Sequence, residues 1–216
     1  MSLADIDIAV LCGGQGSRLR PLLGDKPKVL ATVAHSAAGP VTYLDWLIDK
    51  VKQYGDQRLI LLGGIGGDKI LDHFVLHPPD IAVNVHLEAR QEGTAAAIRK
   101  AAHLLRRHPV MIVNGDTLTD ADLDVFLARH RGDASVLFAR PALSERAYPL
   151  GIGVHAGFTL VSPRMLDDIV HGAARDLDTA LIGRYMPVSL KDARFLDIGT
   201  PERLAKAPEF LREIVR

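Results

Sequence analysis

Glycines and cations gather near the amino terminus, where Leu11-Cys12-Gly13-Gly14-Gln15-Gly16-Ser17-Arg18 is followed by Asp25-Lys26-Pro27-Lys28. Glycine at 13, 14 and 16 lets backbone N–H groups approach phosphate oxygens with no side chain in the way. Arg18 offers a planar guanidinium that can grip two oxygens at once, and Lys28 a mobile point charge. Together they suit a triphosphate whose negative charge moves during a reaction. A carboxylate, Asp116, closes Asn114-Gly115-Asp116 at the end of the apolar run Val110 to Val113, the edge where open α/β sheets hold ligands. Asp116 could hold Mg2+ among phosphate oxygens, or simply cap the turn into the helix that follows.

Competing motifs fail on spacing. A dinucleotide fingerprint would need its third glycine at Leu19 and an acidic residue after the strand Leu59 to Leu62, and neither is present. Gly63-Gly64-Ile65-Gly66-Gly67-Asp68-Lys69-Ile70 resembles a kinase-type phosphate loop only superficially, because Asp68 and Ile70 stand where Gly and Ser or Thr are required. That segment reads as a strand-to-helix turn. The histidines lack metal-ligand spacing, and only His155 lies in a segment expected to face a substrate. The lone Cys12 reads as a small packing residue, and no disulfide can form within the chain.

Positioning these groups falls to alternating elements. Apolar runs at Ile6 to Leu11, Arg58 to Leu62, Ile81 to Leu87, Val110 to Asn114, Ser135 to Ala139 and Val154 to Val161 predict strands. Between them Tyr43 to Tyr54, Asp68 to His77, Thr94 to Arg107 and Asp120 to His130 carry apolar residues at helical spacing. Pro163 should open a helix through Val170, and Glu202 to Val215 should form one amphipathic helix. The alternation predicts an α/β fold with a Rossmann-like, doubly wound, mostly parallel sheet in a three-layer sandwich.

With 216 residues the chain can bury a sizeable core, and 26 basic residues balance 26 acidic ones. That balance gives no footprint for nucleic acid, and no apolar run approaches a span of about 18 residues or a secretion signal, so neither nucleic acid nor a membrane is an expected partner. A cytoplasmic location is expected.

The combined motif Gly14-x-Gly16-Ser17-Arg18-Leu19-x-Pro21 with Pro27-Lys28 resembles the signature of sugar-1-phosphate nucleotidyltransferases, the NDP-sugar pyrophosphorylases, with Ser17 where threonine is usual. The resemblance covers nearly the whole chain and implies one nucleotidyltransferase domain over residues 1–216 with no carboxyl-terminal β-helix. It implies that Leu11, Gly13, Gly14, Gly16 and Ser17 cradle a nucleoside triphosphate, that Arg18 stabilises the leaving pyrophosphate, and that Lys28 contacts the phosphate being transferred. Phe195-Leu196-Asp197-Ile198-Gly199-Thr200-Pro201 resembles the family's late segment, which makes Asp197 the second Mg2+ ligand beside Asp116. Glu88-Ala89-Arg90-Gln91-Glu92-Gly93-Thr94-Ala95 resembles the segment that holds the base, through Gln91, Gly93 and Thr94, with Thr94 also able to cap its helix.

For the sugar, the resemblance implies Glu88, Tyr148, Gly151 and His155. The family's Glu-Lys pair has no counterpart between Tyr148 and His155, which leaves Arg140, Arg146 or Lys191 as substitute cations. Among family members the chain looks most like guanylyltransferases acting on D-glycero-α-D-manno-heptose 1-phosphate for capsule or surface polysaccharide, with GTP as donor. Mannose- or glucose-1-phosphate nucleotidyltransferases would share every motif, and a nucleotide-binding regulatory paralogue without turnover is the rival of another class. A homodimer is also consistent with the resemblance.

Overall fold

The computed structural model describes residues 3–14, 16–55, 57–64, 66–106, 109–142 and 154–214. The chain opens with β1 (Asp7–Leu11), α1 (Arg20–Leu23) and a hairpin of β2 (Thr32–Ser36) and β3 (Gly39–Thr42). It continues through α2 (Tyr43–Lys52), β4 (Arg58–Gly63), α3 (Asp68–Leu76), β5 (Ala82–Leu87) and α4 (Thr94–Ala101). Then come β6 (Val110–Asn114), β7 (Thr117–Thr119), α5 (Leu123–Ala128), β8 (Ala134–Pro141) and β9 (Val154–Val161). The last elements are α6 (Pro163–His171), α7 (Leu177–Leu181), β10 (Tyr185–Asp197), α8 (Pro201–Leu204) and α9 (Ala207–Ile214).

Ile8, Ala9 and Val10 are all fully buried, so β1 needs cover on both faces, as the inner strand of a parallel sheet does. The sheet runs β5-β4-β1-β6-β9-β8-β10-β7. β5, β4, β1 and β6 are mutually parallel, and β8 and β10 pair in parallel beyond them. Alternate residues feed two cores. Ile8, Val10, Leu59, Leu61, Met111 and Val113 meet Leu44, Leu47 and Val51 of α2 on one face, while Ala9, Ile60, Leu62 and Ile112 meet Ile98 of α4 and Met165 of α6 on the other. The three-layer, doubly wound α/β fold expected from the sequence is the one observed.

The sheet is mostly parallel, as expected, with two antiparallel strands, and three helix expectations change. β9 runs antiparallel to both of its neighbours, β6 and β8, and the short β7 runs antiparallel to β10. The helix expected over Thr94 to Arg107 stops at Ala101 and passes through a single 3-10 turn, Ala102–Leu104. The fully buried Asp7 explains the exit: its carboxylate accepts from Arg58 Nη1 at 2.8 Å through both oxygens and from the Arg106 N–H at 2.5 Å, which draws the chain away from helical pairing. α5 starts at Leu123 instead of Asp120, because the Asp122 side chain caps it by accepting from the N–H groups of Asp124 and Val125 at 2.9 and 3.0 Å. The closing helix is two helices, since Pro208 cannot donate within a helix and is tolerated only in the first turn of a new one. Among the described residues no helix is long and apolar enough to cross a membrane.

Candidate functional site

The glycine loop leaves β1 with the Cys12 N–H bonded to the Leu62 carbonyl at 3.0 Å. A Cβ at Gly13 would lie 3.3 Å from the Gly64 nitrogen, and one at Gly64 only 2.9 Å from the Gly13 Cα. The glycine-rich segment after β4 is therefore the neighbour against which the first loop packs. Gly16 takes φ +56°, a left-handed conformation, and its open side faces the Lys28 stem at 3.4 Å. Gly14, Ser17 and Arg18 are exposed, and among the described residues Arg18 forms no ion pair. Burial pushes the Cys12 thiol up to about 12, which fits its reading as a packing residue.

At the end of β6, a Cβ on Gly115 would lie 2.6 Å from the Leu11 carbonyl oxygen, so the strand end passes close beside β1 only with glycine there. The buried Tyr43 hydroxyl lies 2.8 Å from the Asn114 carbonyl and 3.2 Å from that of Thr117, and pins the turn that carries Asp116. Burial, then the Asp116 charge, raises the Tyr43 pKa well above its ordinary value, so it remains a proton donor. Lys28 Nζ donates to Asp116 Oδ2 at 2.7 Å with both side chains mostly buried.

Asp197 arrives from the other half of the sheet, paired with Thr117 in register, and the next residue donates from its N–H to the Asp116 carbonyl at 2.8 Å. Asp197 Oδ1 accepts from the Gly199 N–H at 2.6 Å, and Arg203 Nη1 donates to Oδ2 at 3.2 Å. The position a Gly199 Cβ would occupy lies 2.7 Å from Asp197 Oδ1, 3.5 Å from Arg18 Nη2 and 3.6 Å from Asp116 Oδ2. Arg18, Lys28, Asp116 and Asp197, distant in sequence, thus surround one small space that Gly199 leaves open. Two carboxylates are hard oxygen donors suited to Mg2+, with water and phosphate oxygens completing the shell. Among the described residues no three His, Cys, Asp or Glu side chains gather as a metal-ligand group.

Beside this space lies a cleft of about 170 Å³ bordered by Leu11, Gly13, Gly14, Glu88, Gln91, Gly93, Thr94 and Asp176. A second hollow, bordered by Lys28, Asn114 and Asp116, shares Leu11, Gly14 and Thr94 with it. Gly93 takes φ +111° and packs its Cα against the Arg175 carbonyl. Thr94 does not cap its helix: it is the first helical residue, Gly93 precedes it, and the N–H groups of Ala95 and Ala96 bond to the Arg175 carbonyl at 2.9 and 3.2 Å. Its hydroxyl instead accepts from the Leu177 N–H at 2.7 Å, tying α4 to α7.

Among the described residues, Glu88 and Gln91 each bury a side-chain polar atom without a hydrogen bond, Oε1 and Nε2, although Glu88 Oε1 has an ion pair with Lys100 at 3.5 Å. His155 Nε2 is likewise buried and unbonded; burial pushes its pKa down while the Asp178 charge opposes the shift. Tyr148, Gly151 and Arg146 lie outside the described residues. Lys191 lies with Asp120, Asp122 and Arg129 in a separate hollow, not in the cleft. Sequence reasoning missed Tyr43 and Arg203, which act through backbone and ion-pair contacts that no local motif signals, and Gly199, which stood inside a recognised segment.

Residues 8–153 match the sequence model of the nucleotidyl transferase family, and the chain belongs to that family. It is a nucleotidyltransferase, as the glycine loop with Arg18 and Lys28 led us to expect. Its sequence is similar to the D-glycero-α-D-manno-heptose 1-phosphate guanylyltransferase of Aneurinibacillus thermoaerophilus, 25% identical over 236 residues that cover 97% of this chain and 100% of that one. It is also similar to the N-acetylmuramate α-1-phosphate uridylyltransferase of Neisseria meningitidis serogroup B, 27% identical over 230 residues, 92% of this chain and 95% of the relative. In fold it resembles HddC from Yersinia pseudotuberculosis in its crystal structure with GMP-PN, with a TM-score of 0.80 at 23% identity over 95% of this chain and 99% of that one.

Proposed function

We propose that the protein transfers GMP from GTP to D-glycero-α-D-manno-heptose 1-phosphate, forming GDP-heptose and pyrophosphate in the cytoplasm for capsule or surface-polysaccharide synthesis. The observation that carries the transfer chemistry is the meeting of Arg18, Lys28, Asp116 and Asp197 around the open space at Gly199. The choice of base and sugar rests on likeness along the full length of the Aneurinibacillus guanylyltransferase.

The attacking atom is a phosphate oxygen of the sugar 1-phosphate, already ionised near neutral pH. It bonds to the α-phosphorus of GTP, the bond from that phosphorus to the β-phosphate oxygen breaks, and pyrophosphate departs with the electron pair. No protein nucleophile is needed, and the buried Cys12, held as a thiol by a pKa of about 12, is unsuited to be one. Leu11, Gly13, Gly14, Gly16 and Ser17 hold the triphosphate by close backbone approach, and Arg18, without an ion pair among the described residues, grips the departing pyrophosphate. Lys28 exchanges its bond to Asp116 for an oxygen of the phosphate in transfer. Asp116 and Asp197 would hold Mg2+, which supplies neutralisation of phosphate charge. Gln91, Gly93 and Thr94 hold the base, and His155, with Tyr148 and Gly151, serves the sugar.

The test is pyrophosphate release by the purified protein with Mg2+, crossing GTP, ATP, CTP, UTP and dTTP against heptose, mannose, glucose and N-acetylmuramate 1-phosphates. Release confined to GTP with the heptose phosphate is expected. Release with another pair would keep the transfer and replace the substrate, while nucleotide binding without release from any pair would favour a non-catalytic paralogue.

A further inference from the structure

Two glycine-rich tracts meet beside the site, and the second, residues 63–67, fits no phosphate-binding pattern. That second tract is held from both sides. The Gly63 carbonyl accepts from the Glu88 N–H at 2.8 Å, and the N–H groups of Gly67, Lys69 and Ile70 donate to the carbonyls of Gly64, Gly66 and Gly67 at 3.0, 3.0 and 3.1 Å. The Ile70 side chain that follows is fully buried. The phosphate loop touches this support twice. Near the start of the loop, a Cβ at Gly64 would lie 2.9 Å from the Gly13 Cα and 3.0 Å from its carbonyl oxygen. Near its end, Gly66 takes φ +74°, and a Cβ there would overlap the Asp25 carbonyl oxygen and lie 3.3 Å from Pro27 Cδ. Asp25 is exposed and stands just ahead of Lys28, whose Nζ reaches Asp116. A side chain at position 66 would therefore meet a fixed support on one side and an exposed loop on the other, and the loop is the side that gives way.

We propose that the tract 63–67 is the seat of the phosphate loop and that Gly66 is a positioning residue for nucleotidyl transfer, setting where Lys28 and the loop's N–H groups stand relative to a triphosphate. This deepens the nucleotidyl-transfer reading of the site and rests on it. Gly66 itself touches no ligand. Backbone donors and a lysine hold phosphate oxygens only at hydrogen-bond distance, so a loop displaced by about 1 Å loses much of its grip. Glycine at position 66 adopts φ +74° without strain and leaves the Asp25 carbonyl room to close on the tract. Because the support bears on the loop and on Lys28, damage to it weakens the hold on phosphates whatever base they carry.

The experiment compares Gly66→Ala with Gly132→Ala. Gly132 takes φ +70°, and a Cβ there would meet nothing within 4 Å. It stands just before β8, which begins beside Tyr185, at the end of β10 opposite Asp197. Both variants place alanine in the left-handed region and should lose a few degrees of Tm. Only Gly66→Ala is expected to weaken calorimetric binding of GTP and of inorganic triphosphate, each with Mg2+, by a common factor of about tenfold to a hundredfold, because the loop's own N–H groups move with it. Its kcat/KM for pyrophosphate release should fall at least as far. A Gly66→Ala protein that binds and turns over like Gly132→Ala would overturn the inference, and so would a loss confined to GTP, which would put the defect at the base. Should Gly66→Ala not fold, hydrogen exchange on the wild-type protein decides. Mg2+ with inorganic triphosphate is expected to slow exchange over residues 63–70 together with 12–28, and slowing over 12–28 alone would overturn the inference. A wild-type protein that binds triphosphate but releases no pyrophosphate with any substrate pair would remove the transfer reading, while the triphosphate affinities would still decide the role of Gly66.

Discussion

The two ends of the cleft hold their charges differently. At the phosphate end the carboxylates already have cations: Lys28 lies 2.7 Å from Asp116 and Arg203 lies 3.2 Å from Asp197. At the other end, among the described residues, Glu88 Oε1 has an ion pair with Lys100 at 3.5 Å but no hydrogen bond, and Gln91 Nε2 is buried without one. A phosphate or a metal arriving at the first end must trade partners with groups that are already satisfied, and the trade can be completed in the transition state, where it accelerates the reaction. On the proposed reading, a base arriving at the second end would meet polar groups that lack hydrogen bonds, which favours selection of the ligand over acceleration. Substitutions at the phosphate end should therefore act mainly on kcat, and those at the base end on preference among nucleotides.

The largest expected effect is that of Asp116→Asn, which keeps the side-chain shape and removes the charge that pairs with Lys28 and that, on the proposed reading, would hold Mg2+. Its kcat for pyrophosphate release should fall by roughly a thousandfold or more, with GTP affinity by calorimetry within several-fold of wild type. A parallel loss of affinity would erase the contrast between the two ends. Asp197→Asn should cost less, on the order of tenfold to a hundredfold, and should raise the Mg2+ concentration needed for half-maximal rate. Gly199→Ala tests the shared space itself. Its φ lies outside the left-handed region, so alanine is allowed by the backbone, but the methyl would sit 2.7 Å from Asp197 Oδ1. About a tenfold fall in kcat with little change in Tm is expected, from a methyl displacing the carboxylate.

The smallest effect concerns Cys12, which borders the hollow that holds Lys28 and Asp116. With its pKa pushed up to about 12, the neutral thiol prevails at all lower pH, and only about one molecule in ten thousand carries thiolate at pH 8. Iodoacetamide should leave the folded protein unmodified by mass spectrometry at pH 8 and label it once denaturant exposes the thiol. Labelling of the folded protein within minutes would show that this wall of the cleft is open.

How much the sequence disclosed follows the same division of the molecule. The strands β5, β4, β1 and β6 were readable because each is an apolar run separated from the next by a helical pattern, and the glycine loop and Asp116 come from their ends. The other half was harder. Nothing within Val154 to Val161 records that its strand runs opposite to β6 and β8, because direction is set by pairing across the sheet. β10 is interrupted by a register shift between Ser189 and Arg194, which hides a 13-residue strand. Asp197 was found only through its resemblance to a family segment, whereas Tyr43 and Arg203 became visible only as neighbours in space. Pro208, by contrast, stood in plain view and should have divided the closing helix. The capping reading of Thr94 went astray, because a residue type suited to capping was spent on a tertiary bond to Leu177, while Thr94 still borders the cleft.

The central claim is direct transfer: the sugar phosphate attacks the α-phosphorus and the protein places charges without forming a bond to it. The stereochemical course at that phosphorus tests this most directly, using a GTP analogue with a single configuration of sulfur at the α-phosphate and the sugar 1-phosphate as acceptor, with the product read by 31P NMR. One in-line displacement predicts inversion. Retention would reveal a covalent nucleotidyl-protein intermediate and contradict the account.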